Sequence, residues 1–91
     1  MAVYIVTYDL RNEKTGDKYN RLISLIKQDG IWACLGESSY LVESELSAVE
    51  LRNRYREVLN LDDMLFVGVL TAPAAWYGYS QQITDWIKTK L

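Results

Sequence analysis

Apolar positions along this chain change their spacing several times, and each change predicts an element. Residues 2–9, "AVYIVTYD", alternate with period two. Val3, Ile5, Thr7 and Asp9 fall on one side, and Ala2, Tyr4, Val6 and Tyr8 on the other. The β-branched and aromatic types there favour a strand. Both sides are largely apolar, which predicts cover on both faces. From Asp17 to Gln28 the period lengthens. Tyr19, Leu22, Ile23 and Ile26 recur at helical intervals, and Gly30 follows as a stop. Lys14, Lys18 and Arg21 are expected along the other side of that helix.

"IWACLGESSYLVES" reads as two short strands, Ile31 to Leu35 and Ser39 to Glu43, turning at Gly36, Glu37 and Ser38. Ser47 and Glu50 have the S-x-x-E spacing of a capping box. The serine side chain there satisfies a free backbone N–H and the glutamate reaches back, which predicts a second helix with Ala48, Leu51, Tyr55 and Val58 as its apolar stripe. "DDMLFVGVL" predicts a fourth strand, apolar on both faces. "TAPAAWYGYS" is expected as a loop. "SQQITDWIKTKL" reads as a final helix capped by Ser80, with Ile83, Trp86 and Ile87 inward.

The order β-α-β-β-α-β is the split βαβ pattern of a ferredoxin-like α+β sandwich, here with an additional C-terminal helix. Two helices cover one face of a four-stranded sheet. The other apolar face needs the C-terminal segment, a second subunit, or both.

Length and composition narrow the picture. Residues 1–91 fit one domain, small enough that burying more surface in an oligomer would help. Hydrophobic residues at 49% and charged residues at 24% exclude a disordered or fibrous chain. Cys34 is the sole cysteine, so no intrachain disulfide can form. No basic leader with a long apolar run opens the sequence, and the expected compartment is the cytoplasm. No segment approaches the ~20 apolar residues that span a bilayer.

The net charge of −2 disfavours indiscriminate nucleic-acid binding, but it averages over an asymmetry. Residues 11–27 hold five cations, Arg11, Lys14, Lys18, Arg21 and Lys27, against Glu13 and Asp17. That local +3 leaves −5 elsewhere.

The chain has no histidine, which removes imidazole catalysis and the commonest zinc sites. Signatures of P-loop, dinucleotide-binding and nucleophile-elbow enzymes are absent. Cys34, with no histidine to activate it, reads as a core residue. Asp9 is the candidate catalytic and metal-binding residue. At the tip of a strand its carboxylate could leave the core and bind a hard cation such as Mg²⁺, which often takes only one or two protein carboxylates. The other reading is structural, with Asp9 accepting backbone N–H bonds in the turn at Arg11 and Asn12. Arg11, Lys14, Lys18 and Arg21 form the candidate phosphate-binding set, and a solvated helix face is the alternative. Trp76, Tyr77 and Tyr79 could stack on bases, although packing is the commoner use of such a cluster.

With the strand order in hand, the chain resembles the small Cas2-like ferredoxin-fold proteins. The resemblance rests on "YIVTYDL" with its terminal "YD", on the basic helix that follows, and on the paired strands around "ESSYLVES", with matching topology over residues 2 to about 70. The ending "AAWYGYSQQITDWIKTKL" is similar to that of a group of short bacterial Cas2-like proteins with an "AAWYG...W" segment. The resemblance implies a homodimer with a nucleic-acid role. In metal-dependent nucleases of that kind the aspartate at the position of Asp9 acts with Mg²⁺ or Mn²⁺, and two such carboxylates meet across the dimer axis. Two functions are thus expected: a Cas2-like nucleic-acid-binding protein or Mg²⁺-dependent phosphodiesterase, or a non-catalytic dimeric module with a protein partner.

Overall fold

The computed structural model describes residues 1–11, 16–28 and 30–91. In chain order the elements are β1 (Ala2–Asp9), α1 (Asp17–Gln28), β2 (Ile31–Gly36), β3 (Ser39–Ser44), α2 (Ala48–Tyr55), a 3₁₀ turn (Arg56–Val58), β4 (Met64–Val69) and α3 (Gln81–Lys90). The strands form one antiparallel sheet in the order β2-β3-β1-β4. Local chemistry supports the elements. Asp17 opens α1 and Lys27 closes it, complementing the helix dipole. The Ser47–Glu50 capping box forms in both directions, at 3.1 and 3.0 Å. Gly30 turns the chain from α1 into β2 at φ +123°, where a side chain would be strained.

Period-two alternation assigns the sheet faces. Tyr4, Val6 and Tyr8 of β1 share the first face with Tyr40 and Val42 of β3. They pack against Leu22 and Ile26 of α1 and against Leu51 and Tyr55 of α2, all buried. On the second face Ala33, Leu41 and Ile87 are buried. Ile5, Leu35, Leu70, Trp76, Ile83 and Trp86 are half-buried around them. Helix α3 supplies that cover, and its C-terminus is tied to the sheet by Lys90 Nζ at 3.3 Å from Glu43 Oε1.

The cover is incomplete. β4 is an edge strand, and its second-face residues Met64 and Phe66 are 51% and 61% exposed. Phe66 lies across Gly68, where a Cβ would come within 2.8 Å of the ring, so glycine permits this pose. Cys34 also departs from expectation. It is exposed on β2, the opposite edge, with Sγ 3.2 Å from the Gly36 carbonyl. Among the described residues, no helix is long and apolar enough to cross a membrane.

Candidate functional site

Asp9 is the last residue of β1. Alternation puts it on the second face, in line with Ile5 and Thr7. Its register partner is Met64, and Thr7 faces Phe66. These side chains, with Tyr8 and Leu65, line a shallow recess of about 230 Å³. The Asp9 carboxylate is 55% exposed and lies 3.0 Å from the guanidinium of Arg11. A surface pair of this kind is worth roughly 0–1 kcal/mol, so a cation or a phosphate can displace either partner at little cost.

Among the described residues the proposed basic set is not assembled. Arg11 stands beside Asp9. Lys14 lies outside the described residues. Arg21 is exposed on α1, in the layer on the first face and so across the sheet from Asp9. Lys18 is corrected outright, since its side chain is 9% exposed and turns inward. Its ammonium donates to Asp63 Oδ2 at 2.8 Å and to the Arg11 carbonyl at 3.0 Å. Lys18, Leu22 and Ile26 occupy one buried stripe at intervals of four.

Asp63 was not singled out by the sequence, yet it is the most enclosed carboxylate of the site, at 0% side-chain exposure. It accepts the N–H of Arg11 at 2.7 Å and that of Asn60 at 2.7 Å, besides the Lys18 ammonium. Burial would raise its pKa, but these hydrogen bonds and the adjacent cation outweigh burial and hold it below the usual carboxylate range. The turn N–H at Arg11 that Asp9 was expected to accept goes to Asp63 instead. A lysine on the apolar stripe was the available signal, because a buried ammonium demands a buried anion.

The nearby tyrosines are held neutral. Burial first, then Tyr40, Tyr19 and Cys34, push the Tyr8 phenol well above its ordinary value. Tyr8 donates to the Glu37 carbonyl at 3.3 Å and meets the Tyr19 ring edge-on. Burial and a hydrogen bond with Cys34 push Tyr40 up to about 12. Neither can serve as a phenolate base near neutral pH.

Among the described residues, no three His, Cys, Asp or Glu side chains gather to hold a metal ion. Asp9 could serve a Mg²⁺ or Mn²⁺ ion as a hard oxygen ligand, with other positions filled by water, by substrate phosphate, or by the same residue of a second copy. Of the aromatic candidates, Trp76 packs on the second face with Nε1 3.1 Å from Thr84 Oγ1, whereas Tyr77 is exposed.

Sheet order and helix placement define a ferredoxin-like α+β protein with a third helix on the second face. The chain is similar to the crystal structure of a hypothetical protein from Thermus thermophilus. The two share 25% identity and a TM-score of 0.65 over 86% of this chain and 92% of the other. No protein-family model matches the chain, and no curated protein matches it in sequence.

Proposed function

We propose that this chain is a Cas2-like homodimeric protein of the cytoplasm that acts on nucleic acid as a metal-dependent phosphodiesterase, with Asp9 as the catalytic metal ligand. One observation carries the reading. The Asp9 carboxylate is half-exposed at the end of β1, on the part of the sheet that α3 leaves open, beside the exposed apolar side chains of Met64 and Phe66. Apposing two copies through those side chains would bury them and bring two Asp9 carboxylates to one interface. Asp9 would hold Mg²⁺ or Mn²⁺, and Arg11 would donate to a non-bridging phosphate oxygen. When bound, the ion supplies Lewis acidity and an activated water.

The test is cleavage of RNA and DNA by purified protein with Mg²⁺ or Mn²⁺, alongside light-scattering mass. Asp9→Ala is expected to abolish cleavage and to leave the dimer intact. Wild-type cleavage by the variant would remove Asp9 from the mechanism.

A second reading is a non-catalytic dimeric module with a protein partner. The inward Lys18 favours it, since it removes one cation from the phosphate-binding set. That reading expects no polynucleotide binding at moderate salt and a thermal midpoint lowered by Asp9→Ala. Salt-sensitive binding that weakens in Arg11→Ala would count against it.

A further inference from the structure

We infer that Asp63 and Lys18 form a positioning pair for the Asp9–Arg11 site, an inference that rests on the role proposed above for Asp9. The pair is enclosed, with side-chain exposures of 0% and 9% and an N···O distance of 2.8 Å. Burying an ion pair is a poor route to stability, because apolar residues of similar volume often do as well or better. An apolar pair, however, could not hold a backbone.

This pair grips both polar groups of one residue. Asp63 Oδ1 takes the Arg11 N–H at 2.7 Å, and Lys18 Nζ donates to the Arg11 carbonyl at 3.0 Å. Oδ2 of Asp63 also takes the Asn60 N–H at 2.7 Å, which anchors the carboxylate to the segment entering β4. The next residue, Met64, is the register partner of Asp9. The exit of β1, the first turn of α1 and the start of β4 therefore meet on one carboxylate. Arg11, held at both its backbone N–H and its carbonyl, can present its guanidinium 3.0 Å from Asp9. Asp63 and Lys18 touch no substrate in this scheme. They act by fixing where Arg11 begins, and positional errors of about 1 Å in such groups can cost a hundredfold in rate.

The test uses the double variant Lys18→Met/Asp63→Leu, which removes both charges and avoids stranding either one. Amide hydrogen exchange and cleavage kinetics are measured on the full chain. The expected result is faster exchange at the Arg11 amide with Val6 and Val42 unchanged, and kcat reduced by about tenfold or more while KM moves far less. Exchange at Arg11 equal to wild type overturns the proposal. So does faster exchange with an unaltered kcat, which would make the pair merely structural. If the double variant does not fold, Asp63→Asn replaces it, with the same readouts and the same criteria. If wild-type protein cleaves no polynucleotide, the role of Asp9 falls, and Arg11 exchange alone decides whether the pair holds that residue.

Discussion

The two faces of the sheet carry similar apolar sequence but are finished differently. The first face meets two helices, and its central side chains, Tyr4, Val6, Tyr8, Tyr40 and Val42, are closed to solvent beneath Leu22, Ile26, Leu51 and Tyr55, while Trp32 and Val69 at its edges stay exposed. The second meets one helix. Its centre, Leu41 and Ile87, is closed, its surround is half-buried, and the β4 margin is open. Helix α3 lies toward β2, against Ala33 and Leu41, and leaves the β4 margin uncovered. The open margin is also where Asp9 stands, so the unfinished part of the fold and the candidate chemistry coincide.

Core truncation should break the symmetry most strongly. Leu22→Ala removes a fully buried side chain from the closed face, and a loss of roughly 2–5 kcal/mol is expected. Ile83→Ala in α3 removes a half-buried one, and about half that loss or less should follow. Denaturant unfolding of both variants measures the difference. Equal losses would mean that α3 packs as tightly as α1 and α2.

The closed face was largely legible in the sequence. Period two gave β1, period 3.6 gave α1, and the serine–glutamate spacing gave the start of α2, because each depends on residues close in sequence. What was not legible depends on neighbours far along the chain. The alternation of "MLFVGV" shows that both sides of β4 are apolar, but it cannot show that the strand lies at an edge. Cys34 looked like core for the same reason, being small and apolar in a strand whose edge position is set by the sheet order. Lys18 carries a local signal of burial, lying four residues before Leu22 and eight before Ile26 on their stripe. Its charge argued for solvent, and only its partner, far away at Asp63, reverses that argument. Asp9 was found from its place at a strand end, whereas Asp63, hidden in "DDM", was not.

Acid should sharpen the comparison next, because the carboxyls with lowered pKa belong to the segments around the closed face. For Asp63, burial is outweighed by bonds from Asn60, Lys18 and Arg11. Glu50 is lowered by the Ser47 N–H and hydroxyl. A carboxyl with a folded pKa below its unfolded value stabilises the fold above the unfolded pKa, about 4. That contribution is lost as pH falls through the folded value. The wild-type thermal midpoint should therefore drop as pH falls below about 4. Asp63→Asn should begin lower at neutral pH and drop less steeply. Parallel curves for the two proteins would show that Asp63 does not carry the acid response.

The smallest effects should come from the helix caps, where the two layers differ by one hydrogen bond. Ser47 takes the Glu50 N–H at 3.1 Å and its own N–H is taken by Glu50 at 3.0 Å. Ser80 takes the Ile83 N–H at 3.2 Å, and the apolar Ile83 side chain has nothing to return. Ser47→Ala should cost about 1 kcal/mol, since it unpairs one donor and loosens the reciprocal bond. Ser80→Ala should fall near the low end of the cap range, about 0.5 kcal/mol, and should speed exchange in α3 before it affects global unfolding. If Ser80→Ala instead lowers global stability as much as Ser47→Ala does, α3 unfolds together with the rest. The second face would then be an integral layer of the core, with Met64 and Phe66 exposed at its β4 margin.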